Sequence, residues 1–271
     1  MDDRDVPPGI DTSRMHPARR YDYLLGGKDN FEADRANAEM LTKIFPAARV
    51  AAVENRRFLR RAVTMLAREA GVRQFLDIGA GLPTSPNVHE IAQGIAPDAR
   101  VVYVDNDPMV LAHARALLTS SPEGATAYVD ADLRDPDKIL NGKDLWGTLD
   151  RSRPVALLLV AIMHFITDDM NPYGIVRHYV DAMPPGSYLV MSNGTLDALP
   201  PDKAAELREA FARGNEPAAP RTKAEFARFF ETLDLLDPGI VTATDWRPDD
   251  DPATRPGPAE AAVYAAVARI P

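Results

Sequence analysis

The sequence predicts an α/β fold, a mostly parallel sheet with helices on both faces. Three observations carry this. Short apolar runs at 74–78, 100–104, 125–129, 154–163 and 187–191 alternate with helix-like segments, the pattern of repeated strand–helix–strand units. The run 154–163 has no polar interruption, as expected of a strand covered on both sides. Asp77, Asp105, Asp132 and the residues around Ala161 all fall at predicted strand C-termini, which right-handed crossovers gather along one sheet edge.

Taken in order, residues 1–11 read as a disordered tail and 12–72 as a helical cap belonging to the same domain as the 73–271 core. Phe58, Leu59, Ala62, Met65 and Leu66 recur at helical spacing. Arg56, Arg57, Arg60 and Arg61 then read as a solvated face, and Gly71 as the helix stop. The first strand, 74–78, leads to a helix at 86–94 with Ser85 as N-cap and Pro86 in the first helical position. A second strand, 100–104, precedes a helix at 108–118 whose stripe is Val110, Leu111, Ala114, Leu117 and Leu118. The third strand is 125–129 and the fourth starts within 154–163. A helix at 173–183 and a fifth strand at 187–191 come next, then helices at 202–213 and 222–233. Thr222 and Glu225 form a capping-box pattern on the second of these. Segments 240–244 and 261–270 read as the last strands, separated by an acidic, proline-rich loop.

The chain of 271 residues is 45% hydrophobic and 26% charged, with net charge −9. That length can bury one substantial core, and the acidic balance argues against a nucleic-acid partner. Cysteine is absent, which excludes disulfides, thiolate nucleophiles and cysteine-ligated metals. No His/Asp/Glu spacing suggests a metal site. The acidic N-terminus does not resemble a secretory signal, and no run is long enough to span a bilayer. A cytoplasmic protein is expected.

The most informative stretch is Asp77-x-Gly79-x-Gly81. Its glycines remove Cβ atoms where a ligand must touch the backbone. Asp105 ends the next strand 24 residues after Gly81, in register to accept hydrogen bonds from a ribose diol. A dinucleotide turn would carry a third glycine, and Thr84 stands there instead. A pyrophosphate needs that close helix approach, whereas a methionine tail has only a carboxylate and an ammonium to place, the latter near Asp77. S-adenosylmethionine is therefore favoured over a dinucleotide.

Asn106 is placed to flank the adenine, and Asp107 to cap the helix that Pro108 opens. Asp132 is the better candidate to accept from the adenine amino group, with Leu133 over the ring; Asp130 reads as a structural partner of Arg134. Small Ala161 allows close backbone approach. His164 is either a general base toward an acceptor hydroxyl or amine, or a packed histidine making one structural hydrogen bond. The segment 21–31 combines aromatics, Gly26-Gly27 and polar groups. It reads equally as a lid or as a connector between helices.

Together these segments resemble the class I S-adenosyl-L-methionine-dependent methyltransferases. More narrowly, they resemble an actinobacterial family of such enzymes with largely unassigned acceptors. The likeness runs from His16-Pro17-Ala18-Arg19 through residues 21–31, the 77–83 turn, Asn87-Val88-His89-Glu90, 102–108 and 130–136. It implies a Rossmann-like, seven-stranded, mostly parallel sheet with a C-terminal antiparallel hairpin, and it favours the lid reading. The cofactor-binding set so expected is Asp77, Gly79, Ala80, Gly81, Asp105, Asn106, Asp132, Leu133 and Ala161, with Tyr23 and Asn30 from the lid. Apart from that resemblance, the partners expected are a small-molecule acceptor and a second copy in a homodimer. The alternatives are an NAD(P)-dependent oxidoreductase, against which the missing glycine and the absence of a Tyr-x-x-x-Lys set count, and a protein that binds S-adenosylmethionine without turnover.

Overall fold

Three helices precede the sheet: α1 (Pro17–Leu24), α2 (Glu32–Ile44) and α3 (Ala48–Arg68). The computed structural model describes residues 10–117, 119–213 and 218–271. The expected tail at 1–11 lies outside the described residues except for Ile10 and Asp11, as do the side chains of Ala114, Leu117 and Leu118 in the expected stripe. After α3 the chain runs β1 (Gln74–Ile78), α4 (Val88–Ile95), β2 (Arg100–Asp105), α5 (Pro108–Leu117), β3 (Ala125–Asp130), α6 (Pro136–Leu140), α7 (Lys143–Thr148) and β4 (Ala156–Leu159). It continues with α8 (Pro172–Asp181), β5 (Tyr188–Gly194), α9 (Pro201–Arg213), α10 (Lys223–Ala227), β6 (Asp234–Leu235), β7 (Val241–Thr242), α11 (Pro258–Ala261) and β8 (Val263–Arg269).

The sheet order is β3-β2-β1-β4-β5-β8-β6, and β7 pairs with β8 beside that path. Strands β1 to β5 are parallel, and β8 is antiparallel to β5, β6 and β7. The sheet therefore has eight strands rather than the seven expected. The extra strand is β6, a two-residue pairing too short to leave a strand-like apolar run in the sequence, whereas β7 falls within the strand expected at 240–244. The order reverses between β1 and β4, so the crevice of the parallel sheet opens above those two strand ends.

The strands bury both faces, with alternate residues sent to opposite sides. Leu76, Ile78, Val102, Val104, Leu157 and Leu159 join one cluster, with Ile139 of α6, Leu145 of α7 and Tyr179 of α8. Phe75, Val101, Tyr103, Ala156 and Leu158 join the other, with Phe58, Ala62 and Leu66 of α3 and Ala92 of α4. The apolar stripe of α3 is thus a wall of the core. Gly71, at φ +69°, turns the chain from α3 into β1.

Two sequence expectations are corrected. Helix α4 starts after Asn87, which forms a capping box with Glu90, so Ser85 and Pro86 lie in the preceding turn. The carboxylate of Glu90 reaching back to the Asn87 backbone fixes the helix start there. The arginines of α3 do not form one solvated face. Arg57 and Arg60 are exposed, but Arg61 is buried and donates to Trp246 O (2.9 Å) and Ala243 O (2.5 Å). Arg56 donates to Thr84 O and Pro86 O. The carbonyls of two irregular loops supply these partners, which periodicity alone does not register.

Candidate functional site

The turn after β1 folds back on β2, with Gly79 and Ala80 N–H donating to Val104 O at 2.8 and 3.2 Å. Gly79 (φ +75°) packs under Ile162, whose Cγ1 would lie 2.6 Å from any added Cβ. Gly81 (φ +67°) faces open space, with nothing within 4 Å of a Cβ built there. Asp105 ties this turn to the next. Its Oδ2 accepts from Gly81 N and its Oδ1 from Asp107 N, both at 2.9 Å. Burial raises the Asp105 pKa, opposed by those two N–H donors. Each oxygen keeps a lone pair for a further donor. Asp77 is buried beside it; burial pushes its carboxyl up to about 7, with Arg56 pulling down and Asp105 pushing further up.

At the end of β3, Asp132 accepts from Arg134 Nε (2.9 Å) and Nη2 (2.6 Å) and from Asn106 Nδ2 (3.2 Å). The Arg134 hydrogen bond is the main cause holding its pKa below the usual carboxylate range. The expectation that Asp130 pairs with Arg134 is thus corrected. Asp130 is the exposed last residue of β3, whereas Asp132, past the strand end, can be reached by the guanidinium two residues on.

Beyond β4, Ala161 adopts φ +55°, and its N–H donates to Ser192 Oγ (2.9 Å). Ser192 Oγ donates to Asn55 Oδ1 (2.5 Å), Asn55 Nδ2 to Tyr21 Oη (2.9 Å), and Tyr21 Oη to Ala52 O (3.0 Å). A buried relay therefore links the β4 edge to α3 and to the first helix. Helix α1 is also pinned at its start. His16 N–H donates to Asp34 Oδ1 (2.8 Å), and His16 Nδ1 and Arg19 Nε lie 3.1 and 3.3 Å from Asp107 Oδ2. Asp107 also caps α5, accepting from Met109 N at 2.9 Å.

These elements enclose one cavity of about 490 Å³. One part is lined by Asp77, Gly79, Ala80, Gly81, Asp105, Asn106, Asp132, Leu133 and Ala161. All of the expected core-domain cofactor residues thus meet in one place. The remaining wall is mostly apolar, from Leu24, Leu41, Phe45, Leu196, Leu207 and Phe211, with Arg20, Asn55 and His164 among its polar groups.

Tyr23 and Asn30, expected to contact the cofactor, do not line this cavity. Tyr23 turns outward to Glu39 and lies under the Arg49 guanidinium (4.7 Å). Asn30 Nδ2 donates to Asp22 Oδ2 (2.8 Å) and Gly27 O (3.0 Å), and so is spent on the connector between α1 and α2. A Cβ at Gly27 would collide with Asp22, which explains that glycine structurally. From the same segment it is Tyr21 and Leu24, on the inner face of α1, that reach the cavity.

His164 lines the cavity with its Nδ1 buried and without a hydrogen bond among the described residues. Burial, with the Arg20 and Arg221 charges, pushes its pKa down to about 3. The ring is therefore neutral at neutral pH and a weak proton acceptor. His16, Arg20, Asn55 and Arg56 also line the cavity, and sequence reasoning did not select them. A signal existed for Asn55: it lies three residues before Phe58 and four before Leu59, a polar residue within an apolar helical stripe.

Compared with known proteins, the chain matches the family model described as S-adenosyl methyltransferase over residues 3–271. Among solved structures it is similar to a DUF574 family protein from Streptomyces avermitilis MA-4680, at 49% identity and TM-score 0.92, covering 96% of this chain and 99% of that one. It is also similar to a methyltransferase candidate from Thermobifida fusca YX, at 46% identity and TM-score 0.87, covering 97% and 98%. An O-methyltransferase family 2 protein from Planctomyces limnophilus DSM 3776, solved with apigenin, shares the fold at 16% identity and TM-score 0.50, over 93% of this chain and 65% of that one. A search of curated proteins gives no match.

Proposed function

The chain belongs to the S-adenosyl methyltransferase family, and we propose that it methylates a small molecule held in the apolar part of the cavity. It is an S-adenosyl-L-methionine-dependent methyltransferase, not a nicotinamide oxidoreductase. The observation that carries the site assignment is the meeting of three carboxylates and a bare-backbone turn in one cavity.

The residues present suit the donor. A side chain at Gly81 would project into the cavity, so the glycine keeps a cradle open. Asp105 offers free lone pairs to a diol, and buried Asp77 offers a carboxylate to an ammonium. Asp132 and Asn106 would border the adenine, with Leu133 against its face. When bound, the donor supplies a methyl group already activated on a sulfonium.

The protein's part is then mainly alignment. Gly79–Gly81 and Ala161 bring backbone to the donor, while the Ser192–Asn55–Tyr21 relay holds the Ala161 turn against α1. Leu24 and the apolar wall exclude water from the reacting centre. No catalytic base is required for a nucleophile that arrives deprotonated. His164, held neutral, serves as a hydrogen-bonding neighbour rather than a proton store.

The test is thermal unfolding with S-adenosylhomocysteine or NAD at equal concentration. Stabilisation by the first, lost in Asp105→Ala, is the expected result. Stabilisation that survives Asp105→Ala unchanged would remove the proposed role of that carboxylate.

A further inference from the structure

Helix α1 reaches the donor side of the cavity through the residue that caps it. His16, Pro17 and Ala18 line the cavity together with Asp105 and Asn106. The His16 ring is held at one nitrogen. Its Nδ1 accepts from Ala18 N–H (3.3 Å), the N-cap bond of α1, and lies 3.1 Å from Asp107 Oδ2. Arg19 Nε stands 3.3 Å from the same oxygen, and the His16 N–H donates to Asp34 Oδ1 (2.8 Å). Asp107 in turn donates its own N–H to Asp105 Oδ1 (2.9 Å). The ring is therefore fixed to the turn that carries Asp105. Burial raises the Asp105 pKa, and His16 is among the groups that draw it back down, so the two side chains lie within electrostatic reach. The other ring nitrogen, Nε2, makes no hydrogen bond among the described residues, and the side chain is 28% exposed.

We infer that His16 belongs to the donor site, its Nε2 bonding a ribose hydroxyl of the S-adenosyl ligand, in the same diol that Asp105 takes. This rests on the reading above, that the cavity is the methyl-transfer site. The two side chains are complementary. An ionised carboxylate only accepts, so a hydroxyl that donates to Asp105 keeps oxygen lone pairs for a further donor. With Nδ1 accepting from Ala18 N–H, the neutral ring carries its proton on Nε2 and supplies that donor. With the proton on Nδ1 instead, toward Asp107, Nε2 accepts from the hydroxyl, so either tautomer bonds the same group. The ribose then joins α1 to the turn after β2. Tyr21 and Leu24 of the same helix line the rest of the cavity, so a bound donor fastens one wall of the acceptor chamber.

Substitution separates the two roles of His16, helix cap and ribose contact. His16→Asn keeps a good N-cap acceptor for Ala18 N–H but is too short to extend as far as Nε2. His16→Gln is a poorer cap but carries an amide about as far out as Nε2. The experiment is calorimetric titration of the full chain and both variants with S-adenosylhomocysteine and with its 2′,3′-dideoxy analogue, with melting curves alongside. His16→Asn is expected to melt as wild type does and to bind S-adenosylhomocysteine about tenfold more weakly, the scale of one hydrogen bond. His16→Gln should melt lower yet recover most of the affinity. The dideoxy analogue, which has no diol, should bind wild type and the asparagine variant equally. The ratio of the two affinities within one variant does not depend on how firmly that variant folds, so a destabilised variant still decides the matter. Full S-adenosylhomocysteine affinity in His16→Asn, or an equal loss for the dideoxy analogue, overturns the inference and leaves His16 as a cap alone. Failure of S-adenosylhomocysteine to bind the wild type would instead remove the site assignment beneath it.

Discussion

Replacing Asp77 by Asn tests the electrostatics of the donor side most directly. The carboxyl is buried, with an ordinary value of 3.8 raised to about 7. Between those values the folded state holds a proton that the unfolded chain has released, so raising the pH through this window erodes stability, and above about 7 the whole cost is present. The gap corresponds to a cost on the order of 4 kcal/mol at pH 8, taking about 1.4 kcal/mol per tenfold change in proton concentration. Asn is nearly isosteric and cannot ionise. The ligand-free variant should therefore unfold on the order of 8 °C above wild type at pH 8, since roughly 2 °C accompanies each kcal/mol in a chain of this size. The two should converge near pH 4. Calorimetric melting of both proteins from pH 4 to 8 measures this, and comparing the pair cancels the other titrating groups. The same substitution removes the charge available to an ammonium, so S-adenosylhomocysteine affinity should fall at pH 8 although the fold is firmer. Parallel melting curves across the range would refute the argument, because Asp77 would then ionise in the folded protein as readily as in the unfolded one.

Asp105→Ala should weaken S-adenosylhomocysteine binding by about 1.5–3 kcal/mol, the scale of hydrogen bonds to a charged group, as read by calorimetric titration. It also frees the Gly81 and Asp107 N–H groups, so a modest fall in melting temperature accompanies it. Gly81→Ala and Gly79→Ala each place a side chain at positive φ and should strain the turn, but Gly79→Ala also collides with Ile162 and should lower the melting temperature further, while Gly81→Ala should impair donor binding read by titration. Asn55→Leu leaves Ser192 and Tyr21 without their shared partner and should cost about 1–3 kcal/mol in denaturant unfolding, the range for stranded buried polar groups.

How much of this was legible in the sequence depended on the scale of the signal. The five parallel strands and the acids closing three of them follow from apolar runs and turn chemistry, which act over a few neighbouring residues. Thr222 and Glu225 form the expected capping box for the same reason. The short strand β6 left no pattern, since its pairing is set by β8 arriving from the end of the chain. Arg56 and Arg61 were misread because their partners are carbonyls of loops far along the chain, visible only once α3 lies across the sheet. Tyr23 and Asn30 sit in the right segment, but α1 turns Tyr21 and Leu24 inward instead.

The same distinction explains why the donor side was readable and the acceptor side was not. The proposed donor site uses backbone turns and carboxylates fixed by strand ends, and each carries its own local signature. The apolar wall joins Leu41 and Phe45 of α2 to Leu207 and Phe211 of α9, with Leu196 brought beside them only after the whole sheet edge has been built. Each of those residues is an ordinary apolar position within its own helix, and only their convergence makes a chamber. On the proposed site, specificity would reside in tertiary packing between the N-terminal helices and the segment after β5, and donor chemistry in the turns of the parallel sheet. Substitutions on α2 and α9 should accordingly change which acceptor enters without disturbing donor affinity, because no donor-side carboxylate is carried on either helix.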